Sequence, residues 1–160
     1  MRRRVPSEPF LTSCNESANS PLAGKLSSAQ SVTGKISRVT FNRAVGKVLA
    51  TGVFRDTDPE NRYKLLRNYF AAFDAELKDK ALLTRAVFFE AICEVFDTAV
   101  QRAVAIRKNA KQESIQEIIS PLTKLSYRGS GARALLDKAG IVSTMQSALS
   151  LNVGISREML

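Results

Sequence analysis

Four bases stand close together in the first third of the chain, Lys35, Arg38, Arg43 and Lys47, and no acid occurs between residues 17 and 55. Clustered, uncompensated positive charge is what phosphate binding requires, because each phosphate contact must replace counterions condensed on the polyanion. Arg43 and Lys47 are one helical turn apart, so a helix there presents both on one face. A second set carries the opposite sign. Glu90, Glu94 and Asp97 follow i, i+4, i+7 spacing and line three carboxylates along one helix face. Such a row can serve a divalent metal, but metal sites in helical bundles recruit ligands from facing helices and often a histidine. The row is therefore expected to be a solvated face, with docking against the basic N-terminal segment as the other option.

The chain has no histidine among its 160 residues. That excludes Ser-His and Cys-His nucleophilic catalysis and any His-ligated metal within it. The two cysteines, Cys14 and Cys93, match no disulfide or zinc spacing. Cys93 sits at the edge of an apolar arc with no neighbouring base, and it reads as a small buried hydrophobe. Cys14, in a polar stretch, reads as exposed and incidental. The Gly-Lys pairs at Gly24 and Gly34 lack both the earlier glycine and the following Ser or Thr of a phosphate loop. RGSGAR, at 128–133, sets Arg128 and Arg133 around glycines, where a phosphate can meet a helix N-terminus. These two complete the candidate nucleic-acid contacts begun by Lys35, Arg38, Arg43 and Lys47. No catalytic residue, metal or other cofactor is expected.

Net charge is +9, and its distribution matters more than its size. Residues 1–55 hold nine bases against Glu8 and Glu16, a net of +7, while the other 105 residues balance to +2. Such asymmetry points to a polyanion, or to an acidic surface elsewhere in the same assembly. The apolar content of 44% with 24% charged residues suits a soluble globular protein. No apolar run approaches the roughly 20 residues that span a bilayer, and the basic N-terminus lacks the apolar core of a secretory signal. A reducing, cytoplasmic location without membrane attachment is the expectation.

The elements that must carry these residues are helices. Residues 1–34, rich in Ser, Asn, Thr and Gly, read as a flexible basic and polar leader, with short extended pieces near Leu26 and Ile36. Residues 35–155 read as a single helical domain. Thr40 is the expected N-cap of a first helix with Phe41, Ala44, Val45, Val48 and Leu49 inward, ended by Gly52. Asp58, Pro59 and Glu60 announce a second helix. In it NRYKLLRNYFAAF, residues 61–73, turns Tyr63, Leu66, Tyr69, Phe70 and Phe73 inward and leaves Lys64 and Arg67 outside. Only Arg62 shares the aromatic face, its stem packed and its head reaching water. That arrangement makes the aromatics a core stripe rather than a platform for bases. A long central helix is expected from about Lys80 to Arg107, then a polar connection at 107–112. A short helix follows with Ile115, Ile118 and Ile119 inward, stopped or re-angled at Ser120-Pro121. Residues 132–151 read as one helix or two, interrupted at Gly140. The fold class is mainly α, a bundle of five to six helices.

The order SPLAGKL (20–26), GKISRVTFNRAV (34–45), KLLRNYFAAF (64–73), LLTRAVFFEAI (82–92) and PLTKLSYRGSGARALL (121–136) resembles the C-terminal helical part of DGQHR-domain proteins. These are bacterial and phage proteins, some found with DNA phosphorothioation loci, where a relative acts in control of the modification genes. The resemblance covers about residues 20–150. The family's naming motif belongs to an N-terminal, ParB-like half and is absent here, so the chain is similar to the C-terminal portion alone, as in a truncated or split protein. No catalytic residue carries over. The resemblance implies a non-enzymatic, DNA-binding or assembly role in DNA modification or phage defence. The expected partners are DNA, with the missing ParB-like domain or another protein, such as an acidic one, as the alternative.

Overall fold

The computed structural model describes residues 22, 25–27, 34–50, 54, 57–125, 127 and 137–151. Their order is β1 (Leu26–Ser27), β2 (Ile36–Ser37), α1 (Arg38–Leu49), α2 (Pro59–Glu76), a 3-10 turn (Lys80–Thr84), α3 (Ala86–Glu94), α4 (Phe96–Arg107), α5 (Gln112–Thr123) and α6 (Lys138–Leu151). The architecture is mainly helical, as expected. The two extended pieces pair in parallel, Leu26 opposite Ile36 and Ser27 opposite Ser37.

Local chemistry explains most of the helix starts. Asp58 caps α2 by accepting from the Asn61 amide at 2.8 Å, with Pro59 in the first turn, where its missing N–H costs nothing. α1 begins earlier than Thr40. Ser37, still extended, accepts from the Thr40 amide at 3.2 Å and takes the cap, while Thr40 becomes a buried residue of the first turn. Both carry the hydroxyl that a cap needs, and the helix starts at the one that directly ends β2. α1 ends at Leu49, with Ala50 as its C-cap; Gly52 lies outside the described residues.

The long central helix expected from Lys80 to Arg107 is instead three pieces. Asp79 caps the 3-10 turn through the Ala81 amide, the Thr84 hydroxyl donates to the Ala81 carbonyl at 2.8 Å, and Arg85 is extended. Val95, at φ −88 and ψ 0, separates α3 from α4. No glycine or proline marks this break, and apolar residues continue on both sides of it. Tertiary packing sets it: on α3 Phe89 stacks with Phe41 and Phe70 and Phe88 meets Phe73 and Tyr127 edge-on, while Phe96 on α4 fits between Tyr69 and Phe54. α4 stops at Lys108, whose left-handed backbone (φ 61) lets its amide donate to the Val104 carbonyl at 2.9 Å. The Asn109 side chain then accepts from the Lys111 amide and the Ser114 hydroxyl, turning the chain into α5.

α5 runs through Pro121 to Thr123 rather than stopping before it. The missing N–H and the ring fall against the carbonyl of Glu117 in the last turn, where only a few residues of helix follow. Leu122 is buried and its carbonyl accepts from the Tyr127 hydroxyl at 2.5 Å, which holds that end. Gly140 does not interrupt α6. Its amide donates to the Asp137 carboxylate at 2.7 Å, placing it in a capped first turn.

α2 packs most extensively on α5, α1 on α3, and α3 also on α6. The stripe from NRYKLLRNYFAAF is core: Leu66, Tyr69, Phe70 and Phe73 are buried, Tyr63 is half-buried and Lys64 is exposed. Arg62 does not simply reach water, because its Nη2 donates to the Phe54 carbonyl at 3.0 Å. Leu22 and Leu26, within the leader, are buried in the same core. Among the described residues no helix is long and apolar enough to cross a membrane.

Candidate functional site

α1 is seated by its apolar side. Phe41, Ala44, Val45 and Val48 are buried, which leaves the i, i+4 pair Arg43 and Lys47 pointing outward beside α3. α3 is seated by Phe88, Phe89, Ala91, Ile92 and Cys93, and this leaves Glu90 and Glu94 facing the bases. Arg43 forms an ion pair with Glu90, its Nε donating at 2.7 Å. Lys47 stands 3.7 Å from Glu94. Because 43 meets 90 and 47 meets 94, α1 and α3 run in the same direction past each other as a two-rung ladder. Lys138, in the first turn of α6, reaches the same Glu94 oxygen at 2.9 Å. Its ammonium is held above the ordinary lysine range, first by that hydrogen bond and then by the charge of Glu94. Three helices are thus joined by two carboxylates and three cations.

Arg43 and Lys47 are matched by carboxylates from within the fold, although 55% and 57% of their side-chain surface remains open to solvent. Lys35 and Arg38 are exposed at the N-terminal end of α1, whose first turn carries no acid. Bases at that end oppose the positive pole of the helix, so an anion there gains from both. Arg128 and Arg133 lie outside the described residues.

The acidic row does not stay together as a solvated face. Glu90 and Glu94 dock the basic helix, and Asp97, across the break at Val95, accepts from Gln101 on its own helix. Among the described residues no group of three or more Asp, Glu or Cys side chains is arranged to hold a metal ion. Cys93 is buried and free, and its thiol is pushed well up by burial and then by Glu90 and Glu94. Burial in this way favours the thiol over the thiolate, which is the nucleophilic form. An open polar cleft of about 670 Å³ lies among Glu76, Arg107, Glu113, Gln116 and Glu117. Its polar groups largely satisfy one another: Arg107 pairs with Glu117 at 2.5 Å, and Gln116 donates to Glu76 at 2.7 Å. The Arg107 hydrogen bond also holds the Glu117 carboxyl below its ordinary range.

Sequence reasoning found both rows of charge but missed Lys138 as the third cation. It also missed Lys25, which bridges to Asp74 on α2 at 3.0 Å. Nothing local marks either residue, since each partner is brought up by the fold. Compared with protein-family models, curated proteins and solved structures, the chain matches none.

Proposed function

We propose that the chain is a non-enzymatic helical module that associates with duplex DNA through its basic N-terminal third. In this reading it is the C-terminal helical part of a DGQHR-like protein acting in a bacterial or phage DNA-modification or defence setting. The observation that carries it is the net +7 of residues 1–55, with Lys35 and Arg38 exposed at the acid-free start of α1. Phosphate contacts by such residues give sequence-tolerant binding that weakens steeply with salt.

Binding of the full chain to duplex DNA is measured at about 50 and about 200 mM salt. The affinity is expected to fall by on the order of tenfold or more over that range. K35Q/R38Q weakens binding and flattens the dependence on log salt by about 2. Absence of binding at the lower salt, or binding indifferent to salt, overturns the reading.

A second reading is an interaction module that docks an acidic protein surface, such as a ParB-like domain of a DGQHR-family protein. The observation that favours it is that two α1 bases already dock a carboxylate ladder within this fold. It predicts that charge reversal at Arg43 and Lys47 abolishes capture of that domain and leaves DNA binding unchanged.

A further inference from the structure

The ladder between α1 and α3 makes more of the basic surface than the exposed end alone, and the carboxylates in it act against that surface. Arg43, Lys47 and Lys138 come from two helices and converge on Glu90 and Glu94. Without those carboxylates they form one continuous cationic face. α1 is held to the core by Phe41, Ala44, Val45 and Val48, so its position does not depend on the ion pairs alone. Arg43 and Lys47 are more than half open to solvent, so a phosphate can approach them without unpacking the helix. What opposes the approach is a pair of tethered carboxylates that compete for the same cations at high effective concentration and repel the incoming anion.

We infer that Glu90 and Glu94 form an autoinhibitory contact that masks a DNA-binding face made of Arg43, Lys47 and Lys138. The inference rests on the DNA-binding reading above and deepens it. The parent chain engages DNA through its exposed bases, and the masked face joins only when the carboxylates are neutralised or displaced. Glu94 is the more effective mask, because it holds Lys47 and Lys138 together.

The test compares the full chain with E90Q/E94Q, with E94Q alone, and with E60Q/E113Q, which removes equal charge from exposed positions on α2 and α5. Duplex DNA affinity is measured across salt, and circular dichroism melting shows that each variant is folded. E90Q/E94Q is expected to bind on the order of tenfold or more tightly than the parent, with the dependence on log salt steeper by about 2. E94Q gains in the same direction, and E60Q/E113Q gains far less. Adding R43Q/K47Q to E90Q/E94Q removes the gain, whereas adding K64Q/K111Q, the same charge change at exposed positions elsewhere, keeps most of it. If the parent binds and E90Q/E94Q, or E94Q as the milder folded variant, gains no more than E60Q/E113Q, the masking is wrong and the proposed function stands. If neither the parent nor any variant binds at about 50 mM salt, the proposed function falls and the masking with it.

Discussion

Cys93 and Tyr69 are both buried in the core, and burial sets the chemistry of both. The Tyr69 hydroxyl donates to the carbonyl of Ile92, one of the carbonyls that the end of α3 leaves without a helical partner. Both groups ordinarily lose a proton in alkaline solution, Cys93 near 9.0 and Tyr69 near 10.0, and burial raises both well above those values. The sign of the consequence is fixed. In the unfolded chain the thiol ionises near its ordinary value while the folded chain keeps the proton, so the unfolded state is favoured increasingly as pH rises. Stability is expected to be flat from neutral pH up to about 9 and to fall above it, first through Cys93 and then through Tyr69 and Tyr127, whose hydroxyl burial also raises. Urea midpoints across this range show the effect, and C93A shifts its onset toward 10.0, where the tyrosines take over. An unchanged onset in C93A would assign the alkaline loss to other groups.

Among the elements, α2 has the start that three neighbouring residues mark together. Asp58, Pro59 and Glu60 each suit their place at a helix N-terminus, and the Asp58 carboxylate satisfies both the amide and the side-chain amide of Asn61. D58A is expected to cost about 1 kcal/mol, read as a lower urea midpoint at an unchanged slope, and D58S to restore most of it. Equal stability of D58A and the parent would show that the cap is replaced by solvent. The same locality decides what else was legible. Caps, turn residues and periodic faces are properties of neighbours in sequence, and they gave α1, α2, the 107–112 connection and the inward aromatics. The break at Val95 was not legible, because the packing of Phe96 between Tyr69 and Phe54 makes it, and neither partner is near in sequence. Pro121 misled in the opposite direction, since a proline in a last turn removes only one hydrogen bond. For the site, the spacing of Arg43 with Lys47 and of Glu90 with Glu94 was visible as two charged faces. That the faces meet was open only as the alternative to a solvated face, because 47 residues separate them in sequence and only the packing of α1 on α3 brings them together.

At the scale of the molecule, the N-terminal segment joins the core that the helices form. Leu22, Leu26 and Ile36 are buried with the aromatics, the β1–β2 pair aligns Leu26 with Ile36, and Lys25 bridges to Asp74 on α2. These contributions differ greatly in size. The Lys25–Asp74 pair is partly open to water, with 27% and 29% of the two side chains exposed, and such pairs contribute less than about 1 kcal/mol. Each buried leucine truncated to alanine costs about 2–5 kcal/mol, against a total stability of about 5–15 kcal/mol for a domain. The double variant L22A/L26A is therefore expected to lose roughly 4 kcal/mol or more, a large share of the total, while K25Q changes little. Removal of residues 1–27 should cost at least as much as L22A/L26A, since the deletion takes away both side chains and the β1–β2 pairing. Urea unfolding of the three variants checks this ordering. A midpoint for L22A/L26A equal to that of the parent would mean that α1 to α6 fold without this segment, and that the bases ahead of Ile36 are tethered to the core less closely than Leu22 and Leu26 place them.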